Sequence, residues 1–583
     1  MALDLYKVKD VYFNKLYQPR QNASEQIKPK VLLLDKITTT IISMSYTQSQ
    51  LLSNDIILIE LIENYKTLSV MKHLNCIVFV SIKSLSSLIS ELKSPHFGSY
   101  EIYFNNSINK NQIEKIAESD EYEIVDKLIE IFQDYLILNS HLYQIQHEPG
   151  AINPYLEDGS KLTSLLLSLK KNPIIKYESN SNDIKRLSSE ILYNINSNSN
   201  NNLFDDLNIH NDVPPILLLL DRKNDPITPL ITPWTYQSMI HEFCKIEKNL
   251  VNIENQQIIL TDSNDQFYKE SMYLNYGDLT DKFQKYVEKY KSETNQSQIT
   301  KTSNLNELKK ILMKFPEFKK FSTNILNHLN IISEIDKQIS LQKLWDLGEL
   351  QQTIVCDLDS QQNIKERIIT VLKDSKISTT NKVKILLLYS IRFNFDQSFL
   401  SILNDPLCSD PLPSEEQVNL LSKFKSLFNL TNLTNIQKQQ QQQGLTNIFA
   451  NKNINISNLF KNHQNENDNI YLQYTPRLNE IINKLIDPNL ESSVKLNTLI
   501  PDKVKQKYGT TTEKVQDIII YMNGGLTYEE SRLIHEISEN NKKINLIIGS
   551  DEMLNSETWL NKLYNLTKDK QTEPERTQFR DLL

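Results

Sequence analysis

The sequence contains few of the residues and motifs on which nucleotide-binding and metal-dependent enzymes rely. It has 10 glycines and 9 histidines among 583 residues, and it lacks the patterns GxxxxGKS/T, GxGxxG, GxSxG and HExxH. Those patterns place backbone amides, nucleophiles or zinc ligands where the chemistry needs them. Their absence argues against a conventional nucleotide or metal enzyme. An α/β enzyme whose catalytic residues lie far apart in the sequence remains an alternative.

Cysteines and long apolar runs are also scarce. The four cysteines (Cys76, Cys244, Cys356 and Cys408) show no CxxC or metal-like spacing, so we expect free thiols in a reducing compartment. The N-terminal stretch lacks the apolar core of a signal peptide, and no apolar run approaches the roughly 18 residues that a membrane span needs. We therefore expect a cytosolic protein whose membrane contact is peripheral or passes through a partner.

Basic residues are not in excess. The net charge is −8, which argues against a general nucleic-acid binder or a polybasic membrane anchor. Hydrophobic residues make up 39% and charged residues 23% of the chain, as in ordinary soluble proteins. The length predicts roughly three or four domains.

The stretch Val213–Phe243 predicts a strand, a proline-rich crossover and a helix. Ile216–Leu220 is an apolar run without alternation, which is typical of a strand buried on both faces of a parallel sheet. Thr232 is the expected N-cap, with Pro233 at the first helical position. The buried face of the helix would contain Tyr236, Ile240 and Phe243.

A charged turn follows this predicted strand. Asp221 and Asp225 could hold a metal ion, but Arg222 and Lys223 lie between them and compete for the carboxylates. We therefore interpret the turn as a structural corner of an α/β domain that is held by salt bridges.

Residues 1–145 predict a first α/β domain with a parallel sheet, because short apolar runs alternate with helical stretches such as Leu85–Leu92. The predicted strands are Val31–Leu34, Ile56–Glu60, Cys76–Val80, Glu101–Phe104 and Tyr135–Leu138. The turn after the first strand, DKITTT, contains no glycine, so no nucleotide site is predicted there.

Residues 111–132 predict one or two amphipathic helices with two apolar patches. One patch contains Ile113, Ile116 and Ala117, and the other contains Val125, Leu128, Ile129 and Phe132. Either both patches face the sheet, or part of them stays open as a peptide groove.

A second α/β domain is predicted from two separated segments, residues 146–250 and 491–583. The predicted strands are Pro173–Glu178 and Ile216–Leu220 in the first segment, and Asp517–Met522 and Ile544–Ile548 in the second. Asn196–Asn202 has too little apolar surface to hold a fold and predicts a polar loop.

The NGG tripeptide at Asn523–Gly525 is the nearest match to a phosphate loop. Thr527 and Glu530 form a capping box that would satisfy the first amides of the following helix, and Glu529 adds negative charge. We therefore expect no phosphate site at this turn.

The insertion between the two segments, residues 251–490, is predicted to be nearly all helical. An apolar stripe with helical spacing consists of Phe321, Ile325, Leu329, Ile332, Ile335 and Ile339, and Leu344, Leu347, Leu350 and Ile354 continue it. The stripe either packs in a core or exposes a groove for partner helices. Asn429–Asn469 is rich in asparagine and glutamine and predicts a disordered surface loop.

Four stretches resemble the SM (Sec/Munc) family of syntaxin-binding proteins, which chaperone SNARE assembly in membrane fusion. They are VLLLDKITTTIISMSYTQSQLL (Val31–Leu52), DRKNDPITPLITPWTYQSMIHE (Asp221–Glu242), FYKESMYLNYGDL (Phe267–Leu279) and DIIIYMNGGLTYEES (Asp517–Ser531). Within the second stretch the signature residues are Asp221, Arg222, Asp225, Pro226 and Trp234. The resemblance runs nearly end to end, and SYTQSQLL and SMYLNYGDL favour the branch that serves endosomes and the trans-Golgi network.

This resemblance implies a three-domain arch with two parallel-sheet α/β domains and a large helical insertion. It implies a non-enzymatic regulator that needs no cofactor. The expected partners are a Qa-type syntaxin and its cognate SNAREs, including an R-SNARE, and not nucleic acid. Membrane association would be indirect, through the syntaxin.

The resemblance also implies binding residues. In this branch of the family the first domain takes the N-terminal peptide of a syntaxin, which implies a groove at Ile113, Ile116, Ala117, Val125 and Ile129. The helical insertion aligns SNARE helices, which implies contacts at Leu329, Ile332, Ile335 and Leu344. Two alternatives stay open, namely an SM protein of another trafficking step and a vesicle-tethering scaffold that does not bind SNAREs.

Overall fold

The computed structural model describes residues 3–17, 28–147, 154–199, 203–204, 207, 212–253, 256–293, 319–356, 358–393, 395–428, 469–490, 494–509 and 515–572. The loop predicted at Asn429–Asn469 lies outside these ranges except for Asn469. Within them, no helix has both the length and the apolar character that crossing a membrane requires.

The strands are β1 (Lys30–Leu34), β2 (Ile56–Leu61), β3 (Met71–Val80), β4 (Phe97–Phe104), β5 (Val125–Glu130), β6 (Leu136–Ile137), β7 (Leu142–Gln144), β8 (Ile174–Glu178), β9 (Ile216–Asp221), β10 (Leu250–Ile253), β11 (Gln256–Ile259), β12 (Leu496–Leu499), β13 (Asp517–Asn523) and β14 (Asn545–Ser550).

The α-helices are α1 (Leu5–Tyr17), α2 (Lys36–Ser45), α3 (Gln48–Ser53), α4 (Leu85–Lys93), α5 (Lys110–Ser119), α6 (Pro154–Leu169), α7 (Asn182–Ser199), α8 (Tyr236–Cys244), α9 (Gln266–Ser271), α10 (Tyr276–Glu293), α11 (Lys319–Leu341), α12 (Leu344–Cys356), α13 (Gln361–Lys373), α14 (Thr379–Arg392), α15 (Ser398–Leu403), α16 (Glu415–Leu427), α17 (Arg477–Ile486), α18 (Asp502–Tyr508), α19 (Tyr528–Asn540) and α20 (Ser556–Thr572).

The chain divides into two compact units. The first unit comprises Met1–Arg222, Leu478–Leu526 and Glu530–Met553, and it contains both large sheets. The second comprises Lys223–Arg477, Thr527–Glu529 and Leu554–Leu583, and it is mainly helical. The predicted division of the chain into three domains at residues 145, 250 and 490 stays a prediction.

The first sheet is parallel and has the strand order β2-β1-β3-β4-β5 among the described residues. Apolar cores cover both of its faces: Leu32 and Leu34 point into one, and Val31 and Leu33 into the other. Burial on both sides explains why β1 reads as a continuous apolar run. The first four strands predicted for residues 1–145 are confirmed.

The second sheet has the order β12-β8-β9-β13-β14-β7-β6, with parallel pairing from β8 to β7 and antiparallel strands at both edges. β13 pairs with β9 although roughly 300 residues separate them in the chain, so the predicted late strands do join the earlier ones. The run Tyr135–Leu138 was assigned to the first sheet, and this was wrong. It supplies β6, which pairs with β7 at the edge of the second sheet.

Three local predictions need correction. α8 begins at Tyr236 and not after Thr232, because the Thr232 amide donates a hydrogen bond to the Gln351 side chain (2.8 Å) and keeps the chain extended. α7 continues to Ser199, into the predicted polar loop, whose residues 200–202 lie outside the described ranges. The insertion also contains an antiparallel hairpin, formed by β10 and β11.

Candidate partner-binding site

Helix α5 begins at a capping box that its sequence encodes. The Asn109 side chain accepts a hydrogen bond from the Gln112 amide (3.0 Å), and the Gln112 side chain accepts one from the Asn109 amide (2.8 Å). This reciprocal pair satisfies two amides that the helix cannot satisfy internally. It fixes the residue at which α5 starts.

α5 carries a short exposed apolar stripe beside its buried side. Ile113 is 40% exposed, and Ala117 is also exposed. Residues four apart share one helix face, so Ile113 and Ala117 form a solvent-facing pair that we call the α5 stripe. Ile116 is 2% exposed and packs in the core between α5 and the first sheet. The structure therefore places Ile116 in the core beneath the α5 stripe, and its part in a peptide groove stays a prediction.

The second predicted patch lies on a strand, so its assignment to a helix was wrong. α5 ends at Ser119, and the Asp120 carboxylate then accepts hydrogen bonds from the amides of Ile124 (3.0 Å) and Val125 (3.1 Å). These bonds turn the chain into β5. The stretch EYEIVDKLIEIF fits helical and strand spacing alike, which is why periodicity alone did not separate the two.

Val125 and Ile129 face opposite sides of the first sheet. Val125 packs against the core that contains Ile116, whereas Ile129 packs against the core on the other face. The register between β4 and β5 shifts after Val125. Val125 pairs with Tyr100, whereas the next residue of β4, Glu101, pairs with Lys127. The two residues therefore do not line one groove.

β5 is an edge of the first sheet. The strand order ends at β5, and no strand among the described residues pairs with its outer side. An edge strand presents backbone N–H and C=O groups to which an extended segment can bind. The turn between α5 and β5 also exposes Tyr122 by 61%, a residue that sequence reasoning missed. The α5 stripe, Tyr122 and the β5 edge together form the candidate site.

The residues predicted to contact SNARE helices lie inside the second unit. Leu329, Ile332, Ile335 and Leu344 are each at most 2% exposed. Their helical spacing reflects core packing, the simpler of the two interpretations. They therefore do not line an exposed groove in this structure.

The signature residue Arg222 makes a buried ion pair that the sequence did not reveal. Its Nη2 lies 2.5 Å from Glu530 Oε1, and its Nε donates to the Gly525 carbonyl oxygen (3.1 Å). Both side chains are almost fully buried, at 1% and 0% exposure. Glu530 was expected to cap α19, which does begin at Tyr528. Its pairing with Arg222 joins the end of β9 to that helix.

The two aspartates of the signature accept hydrogen bonds from nearby hydroxyls. Asp221 accepts one from the Ser181 hydroxyl (2.6 Å), and Asp225 accepts one from the Thr228 hydroxyl (2.6 Å). In the part of the chain that the structure describes, no three or more His, Cys, Asp and Glu side chains are grouped as metal ligands. The carbonyl oxygen of the signature proline, Pro226, accepts a hydrogen bond from Trp559 Nε1 (3.2 Å). These contacts give the signature a structural role.

The NGG turn is occupied by a carboxylate of the protein itself. Gly524 and Gly525 have φ values of +93° and +116°, which side-chain-bearing residues rarely adopt. The Gly524 amide donates to Asp551 Oδ1 (2.9 Å). A carboxylate therefore sits where a phosphate loop would present an amide to an anion.

Trp234 is buried by an arrangement that depends on Gly348. Its ring stacks on Trp345 with 4.3 Å between centroids, and a Cβ atom added at Gly348 would lie 2.7 Å from Trp234 Cζ2. Gly348 and Trp345 are three residues apart on α12 and lie on one face. Glycine inside this helix therefore makes the space that the signature tryptophan fills.

A buried hydrogen-bonded series of Tyr, His and Asp side chains was also not predicted from the sequence. His328 Nδ1 lies 2.8 Å from the Tyr236 hydroxyl, and its Nε2 lies 2.8 Å from Asp265 Oδ2. Burial alone would raise the pKa of Asp265, but the hydrogen bond and charge of His328 and the Tyr268 amide outweigh it and lower that pKa. His328 is a polar residue within an apolar stripe of α11, and that break in the stripe was the only available signal.

Comparison with known proteins identifies the class. A sequence model of the Sec1 family matches residues 30–562, so the chain belongs to the Sec1 family of SM proteins, as the four stretches indicated. Vacuolar protein sorting-associated protein 45 of Saccharomyces cerevisiae is 33% identical and covers 96% of this chain and 99% of its own length. The protein of the same name from Dictyostelium discoideum is 32% identical over 92% of this chain and 93% of its own.

A solved structure confirms the likeness in three dimensions. The SM protein Vps45 in complex with the Qa SNARE Tlg2 superposes with a TM-score of 0.77 at 28% identity. The match covers 97% of this chain and 98% of that one. The mixed fold with parallel-sheet α/β regions and a helical insertion is thus shared along nearly the whole chain.

Proposed function

We propose that this chain is a SNARE regulator of transport between the trans-Golgi network and endosomes or the vacuole. It binds a Qa-type syntaxin and promotes assembly of the SNARE complex. The observation that supports this most directly is the end-to-end likeness to an SM protein whose solved complex contains a Qa SNARE. The 33% identity to a vacuolar protein sorting protein supports the assignment to this transport step.

The N-terminal peptide of the syntaxin binds at the α5 stripe and the β5 edge. An apolar side chain of the peptide packs on Ile113 and Ala117, which are open to solvent, while its backbone lies along β5. Exposed Glu114 and Glu118 follow the stripe around the helix and favour a basic residue beside that anchor. Ile116 and Val125 support the stripe from the core side.

Further parts of the proposal concern the other partners and the location. The chain also engages the cognate R-SNARE, acts by binding and not by catalysis, and associates with endosomal and trans-Golgi membranes through its syntaxin. These statements are supported by the family membership and by the relatives named above.

The test is isothermal titration calorimetry of the purified chain with the cytosolic part of its endosomal Qa syntaxin, with and without the syntaxin's N-terminal peptide. Two linked contacts can raise the affinity by roughly 10² to 10⁴ through effective concentration. We therefore expect a large loss of affinity without the peptide. The proposal fails if no Qa syntaxin binds while coat or tethering proteins co-purify with the chain.

A further inference from the structure

Trp345 is an aromatic side chain of the second unit that the fold leaves partly open. It is 40% exposed, although Trp234 stacks on one face of its ring at an angle of 18°. Among the residues that the structure describes, no Lys or Arg side chain lies over the Trp345 ring, since the cation–π contacts are at other aromatic rings. Part of the Trp345 side chain is therefore open to a ligand, and no cation of the described residues occupies it.

Two tyrosines flank this ring. The centroids of Tyr471 and Tyr276 lie 5.0 Å and 5.9 Å from that of Trp345, at angles of 64° and 65°. The Tyr276 hydroxyl is held by Asp336, and the Tyr471 carbonyl oxygen accepts a hydrogen bond from Gln352 (3.1 Å). Trp345, Tyr276 and Tyr471, which we call the aromatic patch, are thus fixed by the surrounding structure.

Carboxylates border the aromatic patch. Asp346 is exposed, and Glu349 lies one helical turn after Trp345 on the same face of α12. Burial raises the pKa of Tyr471, and the charges of Glu349 and Asp346 raise it further. The neighbouring Lys343 does not neutralise them, because its ammonium pairs with Asp374 at 2.5 Å. Glu349 already accepts one guanidinium, that of Arg367, at 2.8 Å.

We propose that the aromatic patch binds an arginine side chain of a partner protein. The guanidinium packs on the exposed part of the Trp345 ring, whose π-electrons attract a cation, and it donates hydrogen bonds to Asp346. Arginine fits better than lysine because its planar group can stack and hydrogen-bond at once. The carboxylates disfavour an acidic segment or an anionic membrane. The proposal stands whether or not the chain binds a syntaxin.

The competing explanation is that Trp345 only covers Trp234. A cover needs apolar area but no π-electrons and no nearby charge, so it would not distinguish a cation from a neutral group of the same shape. The two explanations therefore differ in their response to charge.

The test uses ¹⁹F NMR of the whole chain labelled with 5-fluorotryptophan. The sequence has three tryptophans, and Trp345→Phe assigns the signal of Trp345. The probe is the peptide acetyl-Ala-Arg-Ala-amide, and its control carries citrulline, the neutral analogue of arginine. We expect a saturable shift of the Trp345 signal with the arginine peptide. The citrulline peptide should bind at least about fivefold more weakly.

Variants of the protein make the test specific. Asp346→Asn should weaken binding of the arginine peptide by about threefold, because it removes one exposed negative charge. Leu407→Ala, at a side chain that is 85% exposed elsewhere in the same unit, should leave the titration unchanged. Equal shifts with arginine and citrulline, or an unchanged titration of Asp346→Asn, would overturn the proposal.

Discussion

His328 Nε2 donates a hydrogen bond to Asp265 Oδ2 across 2.8 Å, inside a site where the histidine is completely buried. Because a carboxylate only accepts, Nε2 is the donor of this pair, and the opposite nitrogen, Nδ1, lies 2.8 Å from the Tyr236 hydroxyl. The three side chains connect α8, the residue before α9, and α11. Of the three residues, Tyr236 lies in a stretch that resembles the SM family, and Asp265 lies two residues before another.

Replacing His328 with leucine should destabilise the second unit. The change leaves the Tyr236 hydroxyl and the Asp265 carboxylate without their partner in a buried site, and we expect a loss of about 3 kcal/mol. The measurement is the urea midpoint of unfolding. A double variant that also carries Tyr236→Phe should recover part of the loss, since it removes one of the unsatisfied groups. An unchanged midpoint for His328→Leu would contradict the assigned role.

Replacing Arg222 alone should lower the free energy of unfolding more than replacing both members of its ion pair. Arg222→Met leaves the buried Glu530 carboxylate unpaired, and we expect a loss of about 3 to 5 kcal/mol. Arg222→Met combined with Glu530→Leu should be clearly more stable than the single variant, because no uncompensated charge remains. Thermal unfolding of the three proteins tests this. Equal stability of the single and double variants would show that the pair is not coupled.

Gly348→Ala should disturb the Trp234 site. The new methyl group would lie 2.7 Å from Trp234 Cζ2, so the ring must move, at a cost of about 1 to 3 kcal/mol. Gly277→Ala is the matched control, since its Cβ would meet only Asn275 Oδ1, at 3.4 Å. Near the start of α10 that control should be neutral or slightly stabilising. Tryptophan fluorescence and thermal unfolding compare the two, and equal behaviour would contradict the steric explanation.

The stability of the first unit should fall as the pH drops below about 6.5, through His141. Burial, and secondarily the stacked His535, lower the pKa of His141 to about 3. The folded state therefore keeps His141 neutral, whereas the unfolded chain binds a proton below its ordinary pKa. That linkage removes about 2 kcal/mol between pH 6.5 and 5. His141→Gln should flatten this part of the pH profile measured by urea unfolding, and identical profiles would contradict the assignment.

The buried strands could be predicted because each one carries its own signal. β9 and β13 are continuous apolar runs that end in charged or glycine-containing turns, and both faces of each are buried. β5 could not be predicted in the same way, because its half-exposed residues also fit a helical period. There the Asp120 side chain, and not periodicity, decides where the helix stops.

The contacts between residues far apart in the chain could not be predicted from the sequence, for a different reason. Nothing local to Arg222 indicates that Glu530 is its partner, since the pairing depends on β9 and β13 lying side by side. Likewise, Thr232 looks like a helix cap until Gln351 binds its amide. Ile113 and Ala117 are exposed, as a surface site requires, whereas the position of Ile116 in the core could be seen only from the packing. Their assignment to a peptide site stays a prediction.

The most direct measurement is calorimetric titration of the syntaxin's N-terminal peptide into the wild-type chain, Ile113→Arg and Ile259→Arg. Ile259 is 66% exposed on the hairpin of the second unit and serves as a matched control. An unpaired arginine under the peptide's apolar anchor should cost several kcal/mol, enough to abolish a micromolar contact. We predict no detectable binding to Ile113→Arg and unchanged binding to Ile259→Arg. Equal binding to all three proteins would contradict the α5 stripe as the peptide site.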